Sequence, residues 1–511
     1  MSLLLDKKLF LFTFLLSLVV QASQLNPKPF GGDEVCEKVH YPPEILSPVP
    51  DLKKCLSTIN GLAVYPGDPD YYESIKVANC RNSYFPLVII YVTKVLDIQI
   101  SLYCANALNI SATARSGGHS YEEYGNGGRN GVMVIDVQKF NQIIINKETK
   151  TVAIGTGNRL GPIYYNLNKA GFLIPGGSCP NVGIGGHATG GGFGFVARKY
   201  GLSSDSIISA EMVTANGTFL SPINSTHYPD LFFALRGAGN AGYGIITTFT
   251  YKIYPIPPIV TSINISYVSE QVEMAFMSLA KVAENLNDNI TPYMRLLPDS
   301  NDTYTFSIIA IYLGSAKEAQ SAVKELIELS NPAYMKFEEM TWWDAISENA
   351  TMQTIFPVFD REPFKATSFD VAPPGLSREG LNFLRNFLNN IECYTKALID
   401  VYAGGAVSRF PLNSSSFTHR GTFYTIQIAM HLKDRSKEVQ VKCLEKHLQF
   451  RQEFQKRYTT YFSYQDYIDK DLPNWETRYY GFNLPRLVET KRKYDPHNLF
   501  NWQQSIPLKL P

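Results

Sequence analysis

The pattern of apolar and polar residues changes partway along the chain. Between residues 84 and 256, short β-type runs (PLVIIYV, VMVIDV, TVAIGTG, IISAEMVTANGTF and IITTFTYKI) alternate with glycine-rich turns, and one stretch, Leu160–Ala170, has helical spacing. This pattern predicts an α+β region with many tight turns. Pro255, Pro257 and Pro258 then interrupt the pattern, because proline lacks a backbone donor and fixes φ, and they mark a domain junction.

Beyond these prolines the period lengthens. Apolar residues recur at helical spacing over residues 270–286, 316–329, 379–393 and 435–458, and strand-type runs lie between them (YTFSIIAIYL, KALIDVYAGGAV and GTFYTIQIAMHL). The alternation predicts a second α/β lobe, an antiparallel sheet covered by helices. From residue 461 a tail contains one more helix, at 485–493, and we expect this tail to return to the first lobe.

The first 22 residues are typical of a secretory signal peptide. Lys7 and Lys8 precede an apolar stretch from Leu9 to Val20, and small residues follow, so we expect cleavage near Ala22. The stretch is short for a membrane span, with an uncleaved anchor as the alternative, and no later segment predicts a span. Residues 23–54, rich in Pro, Asp and Glu, form a lead-in. The sequence therefore predicts a secreted, extracellular protein without membrane contact after cleavage.

Composition favours a small, neutral ligand. Among 511 residues, 47 Lys and Arg are balanced by 46 Asp and Glu, and no long run of one sign occurs. Such a balance gives no support to a nucleic-acid or anionic-membrane partner. We expect a monomer that acts on a small molecule.

Cysteine count and sequons agree with an oxidising compartment. The seven cysteines are an odd number, so at least one lies outside the intrachain bridges, and the simplest count is three bridges and one cysteine with other chemistry. Eight Asn-x-Ser/Thr sequons also suit passage through the secretory pathway. They are at Asn109, Asn216, Asn224, Asn264, Asn289, Asn301, Asn349 and Asn413.

Residues 115–194 place His119, Cys179 and His187 in glycine-dense loops. Glycine lets the backbone approach a ligand and direct N–H groups at phosphate oxygens, which favours a nucleotide. Neither GxGxxG after a strand nor GxxxxGK[ST] occurs in its required setting, which argues against Rossmann and P-loop sites. The alternatives are a metal site and purely structural glycine loops. Zinc ligands usually come in closely spaced pairs, whereas each candidate here stands alone, so we predict no metal.

Several motifs together resemble one family. They are LKKCLSTI, RNSYFPLVIIYV, ARSGGHSY, GGSCPNVGIGGHATGGG, GLSSDSIISAEMVTANG, DLFFALRGAGNAGYGIIT and YYGFNLPRLVETKRKYDPHNLFNWQQSIP. The chain resembles the berberine bridge enzyme-like group of PCMH-type (vanillyl-alcohol-oxidase) FAD flavoproteins, which includes cannabinoid synthases and gluco-oligosaccharide oxidases. The resemblance implies a two-lobed fold, with a PCMH-type FAD-binding domain over residues 55–256, a substrate-binding domain over 257–460 and a C-terminal segment over 461–511 that returns to the FAD domain.

The same resemblance implies how FAD is held. The histidine of RSGGH, His119, would bond the flavin 8α-methyl group, and Cys179 would bond flavin C6, which gives the seventh cysteine a use. A disulfide between Cys55 and Cys104 is also implied, and we pair Cys36 with Cys80 and Cys393 with Cys443. Residues implied to line FAD are Arg115, Ser116, Gly117, Gly118, Ser120, Val182, Gly183, Gly186, His187, Gly190, Gly244 and Ile245, with Tyr479 and Asn483 beside the flavin.

Catalytic residues follow from two further motifs. The segment YFSYQD resembles the family's Y-x-N-Y-x-D motif, whose second tyrosine is the base in oxidases, and this implies Tyr464. A phenol of pKa ~10 serves as a base only if the site lowers its pKa or hands the proton on. Strand alternation puts Phe423, Thr425, Gln427 and Ala429 on one face, and Gln427 stands where berberine bridge enzyme has a glutamate base. Since glutamine takes no proton, Gln427 either binds a hydroxylated substrate or fills the strand.

The sequence thus predicts a secreted FAD-dependent oxidase. It would take hydride from an alcohol or hemiacetal carbon of a mono- or oligosaccharide, with O2 reduced to H2O2. Val182 matches a position that stays small in family oxidases so that O2 reaches the flavin. One alternative is oxidative tailoring of a hydrophobic natural product or phenolic alcohol, which Trp342 and Trp343 encourage. The other is a secreted binding protein with a vestigial flavin.

Overall fold

A computed structural model describes residues 30–31, 36, 50–239, 242–299, 303–349, 359–433 and 435–511. The predicted signal peptide, most of the lead-in and the sequon at Asn301 lie outside these described residues. Helices and sheets are mixed, as the α+β prediction required, and two lobes are present.

The first lobe is built on two sheets. Its strands are β1 (Phe30–Gly31), β2 (Leu62–Val64), β3 (Val88–Tyr91), β4 (Ala112–Arg115), β5 (Met133–Asp136), β6 (Ile143–Asn146), β7 (Thr151–Gly155), β8 (Phe172–Leu173), β9 (Ile207–Thr214), β10 (Phe219–Ile223), β11 (Gly244–Lys252) and β12 (Tyr254–Pro255). A four-stranded sheet has the order β2-β3-β5-β4, with β3 and β4 parallel to β5, and a five-stranded antiparallel sheet has the order β10-β9-β11-β7-β6.

Helices of the first lobe cover these sheets. They are α1 (Pro50–Cys55), α2 (Tyr71–Ser74), α3 (Val95–Ala107), α4 (Leu160–Ala170), α5 (Ile184–Gly190), α6 (Ala197–Tyr200) and α7 (Pro229–Ala234). The bounds predicted for α4 are confirmed. The prediction of a single helical stretch was wrong, and α3 is the largest omission. In α3, Asp97 and Ser101 are buried while Leu96 and Tyr103 are exposed, so its helical periodicity is blurred.

The second lobe has one large antiparallel sheet. Its strands are β13 (Val260–Tyr267), β14 (Tyr293–Pro298), β15 (Tyr304–Tyr312), β16 (Tyr334–Met340), β17 (Phe359–Asp360), β18 (Phe364–Val371), β19 (Thr395–Val401) and β20 (Tyr424–His431). All but β17, which pairs with β1, form a seven-stranded sheet in the order β16-β13-β15-β14-β19-β20-β18. This confirms the predicted antiparallel sheet.

The helices of the second lobe divide between the two faces of that sheet. They are α8 (Val272–Val282), α9 (Ala316–Ala322), α10 (Lys324–Ser330), α11 (Trp342–Asn349), α12 (Arg378–Asn390), α13 (Gly405–Arg409) and α14 (Lys437–Tyr458). Helices α8, α9, α10, α12 and α14 cover one face, whereas α11 and α13 pack in clusters with residues of the first lobe. Ile426 and Ile428 of β20 pack on the helix side, in one cluster with α8, α12 and α14. Because side chains alternate along a strand, Thr425 and Gln427 are directed to the opposite face, toward the first lobe.

The tail lies between the lobes and against the first. It carries α15 (Trp475–Tyr480) and α16 (Leu484–Tyr494), and the second confirms the helix predicted at 485–493. Leu487 and Val488 share a hydrophobic cluster with Ile154 and Phe249 of the first lobe's five-stranded sheet. The tail is therefore part of the first lobe's core.

Cysteine pairing is as predicted. Disulfides join Cys36 to Cys80, Cys55 to Cys104 and Cys393 to Cys443. Cys179 is the free cysteine of the described residues.

A buried group of charges, here called the Lys365 junction, joins the three segments. Lys365 of β18 pairs with Glu122 of the first lobe (Nζ–Oε1 2.8 Å) and with Asp469 of the tail, and all three side chains are almost fully buried. Arg81 approaches the other oxygen of Glu122, and Arg451 of α14 lies 3.7 Å from Asp469. Burial raises the pKa of Asp469, but the charges of Lys365 and Arg451 outweigh it and lower that pKa to about 2.

Removal of the Lys365 charge should destabilise the whole protein. Lys365→Met leaves two buried carboxylates with too little positive charge, and breaking such a buried pair costs about 3–5 kcal/mol. Thermal and denaturant unfolding of Lys442→Met provides the control, because Lys442 makes an exposed pair with Glu438 whose loss costs roughly 0–1 kcal/mol. Equal unfolding midpoints for the two variants would show that the junction contributes no stability.

Candidate active site

Two nucleophilic side chains meet at the edge of the first lobe. His119 follows β4 and Cys179 precedes α5, and the Sγ of Cys179 lies 3.6 Å from Nε2 of His119. Burial and then the charge of Arg159 lower the pKa of His119 to about 4, so its imidazole is neutral. Burial raises the pKa of the Cys179 thiol, while backbone amides and Arg159 act in the opposite direction. Neutral imidazole and a thiol beside a cation suit covalent attachment of an electrophile.

Direct backbone contact sets the register of the two loops that carry these side chains. A Cβ on Gly117 would lie 2.4 Å from the amide nitrogen of Gly183, and a Cβ on Gly183 would lie 2.2 Å from that of Gly117. Only glycine permits this approach. Ser116 supports it, since its hydroxyl donates to the carbonyl of Thr156 (2.5 Å) and accepts from the amide of Gly185 (3.3 Å).

Polar groups in the same region suit a nucleotide cofactor such as FAD. The side-chain amide nitrogen of Asn181 is buried without a hydrogen-bond partner. Within the described part of the chain, the backbone amides of Gly117 and Gly118 also have no acceptor. Buried donors are nearly always satisfied, so the buried groups of Asn181 and Gly117 indicate a ligand rich in acceptors, and the partly buried amide of Gly118 lies beside them. Gly186 has open space where a Cβ would stand, which leaves room for that ligand.

Other residues predicted to line FAD have structural partners. Arg115 is buried and pairs with Asp136 (Nε–Oδ2 2.5 Å). The Oγ of Ser120 accepts from the amide of Tyr124 (3.2 Å), and Nε2 of His187 accepts from the amide of Gly177 (2.9 Å). These side chains stabilise the loops by hydrogen bonds within the protein, so the backbones of these residues are the groups available to contact a cofactor.

The remaining predicted residues divide between the glycine loops and the core. Val182 is partly buried and packs at the margin of the hydrophobic core, and the carbonyl of Gly190 accepts from Gln465 (2.6 Å). Gly244 and Ile245 belong to β11, with Ile245 fully buried.

Two predicted tail residues hold backbone groups in place. The hydroxyl of Tyr479 accepts from the amide of Asp469 (2.9 Å), and Asn483 donates to the carbonyl of Ser416 (3.2 Å). The structure therefore assigns both side chains to packing of the tail.

A continuous row of rings, here called the aromatic wall, leads from His119 into the cleft between the lobes. The centroids of His119 and Tyr121 are 6.3 Å apart, Tyr121 stacks on Tyr467 at 6.0 Å, and Tyr467 meets Tyr464 edge-on at 5.1 Å. The His119–Cys179 pair, the first lobe and the tail are thus connected at one site.

Tyr464, predicted as the base, is enclosed at the inner end of this wall. Its hydroxyl accepts from the amide of Gly192 and donates to Oδ2 of Asp466, both at 2.9 Å. Burial and the nearby charge of Asp466 hold the pKa of Tyr464 well above its ordinary value. Burial also raises the pKa of Asp466 to about 8. Tyr464 can therefore give up a proton only by passing it to a neighbour such as Asp466.

Gln427, the second predicted residue, reaches the wall from the second lobe. Its side-chain amide donates to the hydroxyl of Tyr121 (2.8 Å). Next to it, Tyr467 donates to Oδ2 of Asp400 on β19 (2.7 Å). Burial raises the pKa of Asp400 to about 7, so near neutral pH this carboxyl can gain or lose a proton.

Sequence reasoning missed Tyr121, Tyr467 and Asp400. Asp400 had a usable signal, because an acidic residue within the apolar strand sequence KALIDVY must be paired or functional if buried. Tyr121 and Tyr467 had no comparable signal among 31 tyrosines. Phe423 also departs from the predicted face, since it precedes β20 and packs in the helix-side cluster.

None of the described helices is long and apolar enough to cross a membrane. Over the same residues, no group of three His, Cys, Asp or Glu side chains is placed to hold a metal ion.

Comparison with known proteins gives the family. Residues 86–221 match the model of an FAD binding domain, and residues 463–507 match the model described as berberine and berberine like. Berberine bridge enzyme-like 2 of Arabidopsis thaliana is 32% identical, with 88% of this chain and 90% of the relative covered.

Solved structures share the fold. BBE-like 1 of Physcomitrella patens superposes with a TM-score of 0.84 at 34% identity, covering 90% of this chain and all of the other. Glucooligosaccharide oxidase of Acremonium strictum, whose FAD is 6-S-cysteinyl and 8α-N1-histidyl, superposes with a TM-score of 0.82 at 21% identity. The match covers 90% of this chain and all of that chain, and it shows a shared fold. With an FAD-binding domain, a PCMH-type fold and a relative 32% identical across most of both chains, the protein belongs to the berberine bridge enzyme-like family of FAD-linked oxidoreductases.

Proposed function

We propose that the protein is a secreted oxidase that takes hydride from an alcohol or hemiacetal carbon of a mono- or oligosaccharide. The carbinol C–H would leave as hydride, the hydroxyl proton would go to a protein base, and O2 would accept both electrons and two protons to give H2O2. FAD, when bound, supplies the two-electron acceptor. The proposal is carried by one observation: the His119–Cys179 pair stands at the end of a wall of hydrogen-bonding side chains from both lobes.

A bicovalent link through His119 and Cys179 is part of this proposal. C8, which carries the 8α-methyl group, and C6 are separated by one carbon of the flavin's benzenoid ring, so two protein bonds at these positions require side chains that lie close together. The 3.6 Å separation of Sγ and Nε2 meets that requirement. The Acremonium oxidase, with a cysteinyl and a histidyl bond to its FAD, supports the assignment by shared fold.

The wall suits a polyhydroxylated substrate. Gln427 donates to Tyr121, which leaves the Gln427 carbonyl oxygen as an acceptor and the Tyr121 hydroxyl hydrogen as a donor. A donor and an acceptor side by side can bind neighbouring hydroxyl groups of a sugar. Gln427 would then bind substrate, as one of its two predicted roles.

Two tyrosine–carboxylate pairs compete as the proton acceptor. Tyr464, the base implied by the sequence, is paired with Asp466, yet its hydroxyl already accepts from the amide of Gly192 and donates to Asp466. Tyr467 with Asp400 lies beside Tyr121 and Gln427, and Tyr467 is less buried. We favour transfer of the substrate proton through Tyr467 to Asp400, with Tyr464 packing against Tyr467 at the inner end of the aromatic wall.

The alternative of a hydrophobic natural product gains no support from the tryptophans that suggested it. Trp342 and Trp343 pack in or against the first lobe's core, and Trp343 contacts Tyr165 edge-on at 5.5 Å. Secretion is supported by the three disulfides, since such bonds persist in oxidising compartments.

Purified protein should release H2O2 with sugars. A panel of mono- and oligosaccharides, aliphatic alcohols and phenolic alcohols, assayed for peroxide under air, should give turnover with at least one sugar. Turnover confined to phenolic alcohols would replace the carbohydrate assignment, and reduction of an added dye without peroxide would make the protein a dehydrogenase.

Covalent attachment can be read from peptide masses. Cys179→Ala should keep FAD on a peptide containing His119, and His119→Ala should keep it on one containing Cys179, because each bond forms at a separate ring position. Flavin found on neither residue in the wild-type protein would refute both assignments. Cys443→Ala with Cys393→Ala serves as a control, since loss of that disulfide should leave the flavin peptides unchanged.

Stopped-flow reduction of the flavin should separate the two tyrosines. Tyr467→Phe should slow reduction by roughly 10²–10⁴-fold, the usual contribution of a general base, and Tyr464→Phe should slow it less. Because ionised Asp400 is the active form, wild-type reduction should rise with pH through about 7, and Asp400→Asn should remove that rise. A larger loss for Tyr464→Phe, with a rise near pH 8, would instead assign the role to Tyr464 and Asp466.

A further inference from the structure

Behind the aromatic wall, a buried chain of hydrogen bonds runs from the second lobe to the first. It begins at Asp370 of β18, passes through His419, which lies in the loop before β20, and continues to Gln465 of the tail. Gln465 ends the chain by donating to the carbonyls of Gly190 (2.6 Å) and Gly237 in two glycine-rich segments of the first lobe. Neither of the reaction's proposed steps uses His419.

Each ring nitrogen of His419 faces a hydrogen-bond acceptor, and these acceptors determine where the ring carries hydrogen. The two carbonyls at Gly190 and Gly237 can only accept, so they must face the NH2 group of Gln465, and the Gln465 oxygen must face Nε2 of His419 (3.0 Å). Nε2 must therefore carry a hydrogen.

The other ring nitrogen also faces an acceptor. Nδ1 of His419 lies 2.6 Å from Oδ2 of Asp370. The hydroxyls of Thr422 (2.9 Å, to Oδ2) and Thr425 (2.8 Å, to Oδ1) also donate to this carboxyl, so both of its oxygens act as acceptors, as those of a carboxylate do. Nδ1 must then carry a hydrogen as well, and a ring with two N–H groups is a cation.

The residues around His419 exclude water from its ion pair with Asp370. Both side chains of the His419–Asp370 pair have no solvent exposure, and the rings of Phe417, Phe462 and Tyr464 surround the imidazole at 5.1–6.2 Å.

Few other ionisable groups face the pair. Tyr464 is on the tail, and Tyr402, whose pKa is held well above its ordinary value by burial and by the charges of Asp400 and Asp370, is at the end of β19. Arg420 adjoins His419 in its own loop, but its guanidinium binds Asp205 (2.6 Å). Removal of one member of such a buried pair would leave an uncompensated charge in the interior.

We propose that His419 is an imidazolium cation and a positioning residue, which through Gln465 fixes the segments at Gly190 and Gly237 against the tail that carries Tyr464. The charge strengthens the bond to Gln465, since charge-assisted hydrogen bonds are about twice as strong as neutral ones. Gln465 lies between Tyr464 and Asp466, so its position sets both. The effect expected on turnover rests on the proposed oxidase function, whereas the charge state does not.

Nitrogen NMR of protein labelled with ¹⁵N-histidine tests the charge directly. The His419 signals, identified by their loss in His419→Gln, should both be of the N–H type in the protein at neutral pH. One proton-free nitrogen would overturn the proposal. His227→Gln, which changes an exposed histidine, should leave the His419 signals in place.

A pair of substitutions then tests the cause and the consequence. Asp370→Asn should convert His419 to a neutral ring with one N–H and lower kcat by about tenfold with little change in KM, because reacting groups are displaced rather than removed. Thr422→Val removes one neutral donor from Asp370 and should leave His419 charged and turnover near wild type. A neutral His419 with unchanged kcat would refute the positioning role, and both N–H signals kept in Asp370→Asn would refute Asp370 as the cause of the charge. Wild-type protein with both N–H signals but no turnover would place the fault in the proposed function.

Discussion

Buried charge at the meeting point of three chain segments constrains everything else in this molecule. Lys365 belongs to the second lobe, Glu122 to the first and Asp469 to the tail. All three side chains are almost fully buried, so water cannot solvate their charges. Since an unpaired charge in such a place costs several kcal/mol, the lobes and the tail must assemble in one relative position. Glu122 directly follows Tyr121, and Asp469 comes two residues after Tyr467, so that position also brings these two tyrosines into contact.

The cleft that results is lined by tyrosines joined to carboxyl groups. Burial raises the pKa of Asp400 to about 7 and that of Asp466 to about 8, which brings both within reach of neutral pH. A phenol whose own pKa is raised by burial is a poor base alone, but a carboxylate behind it can take the proton. This arrangement supplies the second of the two conditions under which a tyrosine can act as the base.

Sequence alone predicted the fold and the disulfides, and it failed where contacts between distant segments determine the structure. The helix at Leu160–Ala170, the antiparallel second sheet and all three disulfides are confirmed because periodicity, family motifs and an odd cysteine have local signatures. Helix Val95–Ala107 was missed since its buried Asp97 blurs the apolar stripe. Asp400 and Tyr467 lie 67 positions apart, and only the packing of tail against sheet makes them a pair.

Backbone contact between Gly117 and Gly183 has a consequence for the way a cofactor could be installed. The two loops touch through main-chain atoms, so the distance between the imidazole of His119 and the thiol of Cys179 is set before any ligand arrives. Neither side chain has to wait for the other to bring it into range. In the proposed bicovalent link, attachment at one ring position would therefore bring the second position within reach of the other side chain, and the order of the two bonds would depend on chemical reactivity instead of protein motion.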